Sequence, residues 1–207
     1  MTRPSEFPYS LYSLLLHPVK AIGIIPSRYA STRFPGKPLA DIKGKTMVRR
    51  VYEQASKCSH LECVYVATED QRIVDEVLSF GGNVLMTSPE HPSGTDRCFE
   101  VLEKLGMDKY DVVINIQGDE PYIHPEQIDT LVNIFKNEKV EIATLAHNVT
   151  NPADLENPNI VKIVRNVNGE ALYFSRSVIP YLRQASGEPW TNQFHYLKHI
   201  GLSIFSS

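Results

Sequence analysis

Three cations fall within ten positions of one segment, Pro26-Ser27-Arg28-Tyr29-Ala30-Ser31-Thr32-Arg33-Phe34-Pro35-Gly36-Lys37-Pro38-Leu39. Hydroxyl residues lie between Arg28, Arg33 and Lys37, and Gly36 stands beside the last. A polyphosphate needs several charged donors, and guanidinium and ammonium groups supply them. A neighbouring glycine lets the backbone come close to such a ligand. The run has neither the G-x-x-x-x-G-K-[ST] nor the G-x-G-x-x-G spacing. A solvated basic loop has the same composition. The position of this loop, directly after an apolar run, favours the phosphate reading.

A second segment, Gln117-Gly118-Asp119-Glu120-Pro121, also follows an apolar run. An acid at such a place can hold Mg2+ against substrate phosphates, because Mg2+ favours one or two carboxylates plus phosphate oxygens. The alternative is that Asp119 and Glu120 only cap the following turn. A third segment, Ser93-Gly94-Thr95-Asp96-Arg97, opens a helical pattern. Its free N–H groups suit an anion or a base edge, and Ser93 or Thr95 equally suits a plain cap. A fourth, Ala171-Leu172-Tyr173-Phe174-Ser175-Arg176, is followed by His195, Tyr196 and His199. Arg176 fits two-pronged binding of a carboxylate. Single histidines are more often structural or solvent-facing. There is no H-E-x-x-H, no paired Cys/His pattern and no G-x-S-x-G elbow, so zinc and serine hydrolases are poorly supported.

These segments are spaced by regular elements. Residues 19–25 form a short β-branched run ending at Pro26, which predicts a strand buried on both faces. Met47, Val48, Val51, Tyr52 and Ala55 fall at helical spacing. Residues 63–67 predict a second strand. Asp70 then caps a helix carrying Ile73, Val74, Val77 and Leu78, and Gly81-Gly82 ends it. Residues 83–86 predict a third strand, 95–105 a helix, 112–116 a fourth strand, 125–136 a helix starting at Pro125, and 142–145 another strand. This alternation implies a mostly parallel sheet with helices on both faces. Beyond Asn151 the rhythm changes. Asn168-Gly169 between β-rich runs predicts a hairpin that lies across the ligand crevice, with no separate domain.

Composition limits the alternatives. The 207 residues suit one domain, and 42% hydrophobic with 22% charged residues is ordinary for a globular protein. A formal net charge of -3 with no block of like charge argues against gripping nucleic acid. Cys58, Cys63 and Cys98 form no C-x-x-C pair, which fits a reducing compartment. Residues 1–18 are expected to be an N-terminal extension: the apolar run 11–16 is short for a signal peptide and is followed at once by His17, Pro18 and Lys20. No segment is long enough to cross a membrane.

Together the stretches IIPSRYASTRFPGKPLADIKGKTM, VYVATEDQRI, MTSPEHPSGTDR, VVINIQGDEP, NPNIVKIV, ALYFSRSVIPY and HIGL resemble the 3-deoxy-manno-octulosonate (Kdo) cytidylyltransferases. They run in that family's order from Val19 to Leu202. Acylneuraminate cytidylyltransferases are similar in fold, and the QGDEP and ALYFSR segments favour the Kdo branch. The resemblance implies an α/β, Rossmann-like three-layer nucleotide-diphospho-sugar transferase fold with a mostly parallel sheet over residues 19–207. It implies that CTP and Kdo give CMP-Kdo and pyrophosphate with Mg2+, in the cytoplasm, for lipopolysaccharide synthesis. Arg28, Lys37 and Asp119 would carry catalysis. Arg28, Ser31, Arg33, Lys37, Ser93, Gly94 and Gln117 would bind the nucleotide. Asp119 would bind the metal, and Arg176 and His199 the sugar. No nucleic acid or membrane partner is implied. Family members continue past the strand that begins at Gly201, with a Glu-Gln-rich helix against the sugar and a late aspartate at the metal. This chain closes on Ser203-Ile204-Phe205-Ser206-Ser207. The expectation is a family domain shortened at its C-terminus, whose family homodimer is poorly supported. The alternatives are an inactive nucleotide-binding remnant and a cytidylyltransferase for another acidic sugar.

Overall fold

The structure is a computed structural model that describes residues 19–30, 34–136, 140–183 and 187–206. The expectations for residues 1–18, Ser31 and Arg33 therefore lie outside the described residues.

Four strands form the parallel part of one sheet: β1 (Ala21–Pro26), β2 (Leu61–Thr68), β3 (Asn83–Met86) and β4 (Val112–Asn115). β1 pairs in parallel with β2 and β4, and β2 pairs with β3. Their side chains alternate between two cores, as the pleat requires. Ala21, Ile25, Val64, Val66, Val112 and Ile114 pack against α1 (Met47–Ala55), α2 (Gln71–Ser79) and α4 (Pro125–Ile134). Ile22, Ile24, Ala67 and Val113 pack on the other face against Cys98, Val101 and Leu102 of α3 (Gly94–Leu105). Both faces of β1 and β4 are covered, which is why those two strands are almost wholly apolar instead of alternating.

The helix boundaries follow local chemistry. Thr46, Asp70 and Ser93 cap α1, α2 and α3, each accepting from a first-turn backbone N–H. After α2, the Gly81 and Gly82 N–H groups donate to the Leu78 and Val77 carbonyls at 3.0 and 2.9 Å. Pro125 opens α4 as expected, and that helix stops at Ile134.

The second half of the sheet is antiparallel, which the alternation of elements in the first half does not announce. It contains β5 (Ile142–Asn148), β6 (Lys162–Arg165), β7 (Ala171–Ser175) and β8 (Leu197–Ser206). β6 and β7 form the expected hairpin around Asn168-Gly169. With only a tight turn between them no crossover helix is possible, so the pair must be antiparallel. Two single helical turns, α5 (Ala153–Glu156) and α6 (Trp190–Gln193), lie outside the sheet. The strand order is β3-β2-β1-β4-β8-β6-β7, with β5 also pairing β8. β8 is thus the joint between the two halves: it bonds β4, β5 and β6. Its pairing with β5 slips between Thr144 and Leu145, whose partners are Ser203 and Ile200. Gly201 and Leu202 therefore form a bulge.

Candidate active site

The carboxyl ends of β1 and β4 lie side by side, so the loops that follow them share one rim. The Ser27 N–H continues the ladder by donating to the Ala67 carbonyl at 2.8 Å, which fixes where the cationic loop starts. Gly118 lets the other loop come close. A Cβ there would lie 3.0 Å from the Pro26 carbonyl oxygen and 3.1 Å from Ser27 Oγ. The two loops meet in an ion pair, with Lys37 Nζ 2.6 Å from Asp119 Oδ2.

Together they border a cleft of about 380 Å3 lined by Pro26, Ser27, Arg28, Lys37, Pro38, Gly94, Thr95, Asn115, Gln117, Gly118 and Asp119. Two cations and one carboxylate line it, a balance suited to a polyanion accompanied by a divalent cation. Among the described residues no three His, Cys, Asp or Glu side chains converge as a metal cage. Asp119 is half-exposed on the rim, so it fits a Mg2+ held jointly with substrate phosphates. Glu120 beside it is partly buried, and burial, reinforced by the Asp119 charge, pushes its carboxyl above the usual range.

Arg28 is held by its surroundings. Its Nη2 donates to the His91 carbonyl, and the His91 ring bonds the Glu100 carboxylate. Burial opposes ionisation of Glu100, yet donors from Lys104, His91 and the Ser88 N–H outweigh it and hold the carboxyl at about 2. The next residue, Tyr29, donates its N–H to Glu69 Oε1 at 3.1 Å. Glu69 Oε2 in turn lies 2.9 Å from Nη2 of the fully buried Arg97. That approach is a charge contact without hydrogen-bond geometry, since neither atom has a hydrogen-bond partner. Arg97 Nη1 also donates to Thr87 Oγ1. The base of the cationic loop is therefore pinned by a buried arginine.

The other predicted residues divide. Gly94 and Gln117 line the cleft. Ser93 does not; its hydroxyl donates to Asp96 Oδ2 at 2.5 Å and accepts from the Asp96 N–H, so the capping alternative is the one realised. The Gly36 N–H is likewise occupied, donating to the Tyr29 carbonyl at 2.9 Å. Arg176 and His199 lie in the antiparallel half. Arg176 is exposed, with Nη1 on the Pro158 carbonyl at 2.8 Å. The buried Lys162 donates to the carbonyls of Asn157, Ile160 and Arg176 itself, which anchors that turn. His199 is partly buried, and burial pulls its imidazole below the usual range. The Phe174 ring meets it edge-on, 5.3 Å away at 81°.

The cleft touches the antiparallel half through β8. A Cβ on Gly201 would lie 2.9 Å from Gln117 Cγ and 3.5 Å from Glu120 Oε1, so the bulge needs glycine to admit Gln117.

Sequence reasoning missed Asn115 and the Arg97–Glu69 pair, and it named Thr95, which lines the cleft, only within the Ser93–Arg97 segment. Asn115 is buried, its Oδ1 has no hydrogen-bond partner, and its Nδ2 lies 3.5 Å from Thr95 Oγ1. Its signal was present: an amide closing an otherwise apolar strand, Val112-Val113-Ile114-Asn115. The pairing of Arg97 with Glu69 joins positions far apart in sequence and had no local signal.

Comparison with known proteins bears on this arrangement. A cytidylyltransferase family model matches residues 22–206. The 3-deoxy-manno-octulosonate cytidylyltransferase of Parabacteroides distasonis is 54% identical over 191 residues, covering 90% of this chain and 75% of that protein. The 8-amino-3,8-dideoxy-manno-octulosonate cytidylyltransferase of a Shewanella species is 47% identical over 191 residues, covering 91% of this chain and 76% of that one. A solved structure of CMP:2-keto-3-deoxy-manno-octonic acid synthetase complexed with CTP superposes with a TM-score of 0.81 at 43% identity, covering 90% of this chain and 74% of that chain.

Proposed function

The chain belongs to the 3-deoxy-manno-octulosonate cytidylyltransferase family, and from that premise we propose that it transfers the cytidylyl group of CTP to Kdo, releasing pyrophosphate. The observation that carries this reading is the meeting of Lys37 and Asp119 at 2.6 Å across a cleft that Arg28 also lines. Arg28 and Lys37 neutralise the phosphates. Gln117 and Gly94 flank the cytosine. Asp119 would hold Mg2+, which would supply further charge neutralisation on the phosphates. Arg176 and His199 hold the sugar so that its anomeric hydroxyl faces the α-phosphate. The hydroxyl oxygen forms the new bond to phosphorus as the bond to pyrophosphate breaks, and the hydroxyl proton is released to water. Positioning and electrostatics supply most of the rate, because phosphoryl chemistry asks for little covalent work from the protein. The product supplies an activated sugar for lipopolysaccharide assembly. The free thiols Cys58, Cys63 and Cys98 suit work in a reducing cytoplasm.

Pyrophosphate release from CTP, Kdo and Mg2+ tests the proposal. Turnover that needs all three is the expected result. CTP binding without turnover would overturn it in favour of a nucleotide-binding remnant. The Shewanella relative makes 8-amino-Kdo the most informative competitor. A strong preference for that sugar or for an acylneuraminate would overturn the assignment of Kdo while leaving cytidylyl transfer intact.

A further inference from the structure

The bulge in β8 sets one hydroxyl against three polar atoms. Thr144 Oγ1 lies 2.5 Å from the Leu202 carbonyl oxygen, 3.5 Å from the Ile200 carbonyl oxygen and 2.8 Å from His199 Nε2. A threonine hydroxyl has a single proton, and a carbonyl can only accept. The short approach to Leu202 takes that proton. Only oxygen lone pairs then face the imidazole, so Nε2 must be the donor of the remaining bond. We infer that Thr144 is a positioning residue: it fixes His199 with its proton on Nε2, leaving Nδ1 as a bare lone pair that accepts a hydrogen bond from a hydroxyl of the sugar substrate. The sugar part of this inference rests on the reading of His199 as a sugar contact.

Three observations support it. Burial disfavours the imidazolium, so the ring stays neutral and Nδ1 unprotonated. The edge-on Phe174 ring limits rotation of the imidazole about its axis. Among the described residues no group bonds Nδ1, although the ring is only partly buried. In a histidine the bond made by one nitrogen decides what the other can do. His199 is therefore an acceptor for a hydroxyl, and the charge of the sugar carboxylate is left to Arg176. The bulge leaves Leu202 without a partner in the β5 register, and the Leu202 carbonyl meets the Thr144 hydroxyl there.

Two-bond 15N–1H correlation spectra of the 15N-histidine-labelled protein test the tautomer directly, with His199→Asn identifying the signals among the seven histidines. The expected spectrum has Nε2 protonated and Nδ1 bare. Thr144→Val removes the hydroxyl while keeping the shape; His199 should shift toward the other tautomer, and KM for Kdo should rise about tenfold, the scale of one lost hydrogen bond. KM for CTP should not move. Thr144→Ser should restore both tautomer and KM. A proton on Nδ1 in the native spectrum overturns the inference, and so does a tautomer unchanged in a folded Thr144→Val. Should that variant not fold, the native and Thr144→Ser spectra still decide. His199→Ala separates the two readings: if KM for Kdo is unmoved while the native tautomer is as stated, the sugar contact is wrong and the role of Thr144 stands.

Discussion

Lys37 and Asp119 leave 36% and 49% of their side chains exposed, so their pairing adds little to the fold and removing either falls on the chemistry. Lys37→Ala and Asp119→Asn should stay within about 0.5 kcal/mol of the parent in urea unfolding. In steady-state assays the same variants should lower kcat on the order of 10²- to 10³-fold, the scale of losing one preorganised electrostatic contact. Arg97 is the opposite case. It is fully buried against Glu69, and Arg97→Ala should cost about 3–5 kcal/mol, because the partner carboxylate is left without its counter-charge. Glu100 gives a pH dependence. Its carboxyl ionises at about 2 in the fold against 4.5 ordinarily, so between those values the unfolded chain binds the extra proton. The stabilisation is complete above 4.5 and is lost as pH falls toward 2. The stability gap between parent and Glu100→Gln should therefore shrink over that window, as acid unfolding curves would record. That Arg28, Gln117 and Asp119 share one rim was legible in the sequence, because each lies just past an apolar strand whose end fixes its place. The hydroxyl of Thr144 was not, since its partner His199 lies 55 positions away.

At the scale of elements, strands buried on both faces announced themselves as unbroken apolar runs, and helices through their caps. β8 did not. Its sequence Leu197-Lys198-His199-Ile200-Gly201-Leu202-Ser203-Ile204 mixes polar and apolar residues because it passes from a half-exposed region into the core and is bulged on the way. A bulge breaks the period of two on which strand reading depends. Ser93 was ambiguous between a cap and a ligand contact for the same reason that caps bind anions: both use a helix N-terminus. Ser93→Ala should cost about 1 kcal/mol of stability by thermal melting. Its CTP affinity by calorimetry should be unchanged, since the hydroxyl is engaged within α3 and does not line the cleft. Gly201→Val should act in the opposite sense. The new side chain would collide with Gln117, so CTP binding should weaken along with an overpacking cost of about 1–3 kcal/mol.

For the whole molecule, the parallel half carries the rim of Arg28, Lys37 and Asp119 and the antiparallel half carries Arg176 and His199, and one strand belongs to both. Ile204 is fully buried in β8, and Ile204→Ala should cost about 2–5 kcal/mol. The single tryptophan, Trp190, packs beside Tyr196 in a small separate cluster under the second half, so it reports that region alone. Because β8 ties the halves together, Trp190 fluorescence and far-ultraviolet circular dichroism should report one coincident transition, displaced equally in Ile204→Ala. The place of β8 also governs how the chain is made. Residues 197–206 leave the ribosome after all the strands they join, so the nascent chain first carries bare edges on β4, β5 and β6, each a template for wrong pairing between neighbouring chains. All three edges are shielded in a single late step, and the cleft gains the packing of Gly201 against Gln117 in that same step.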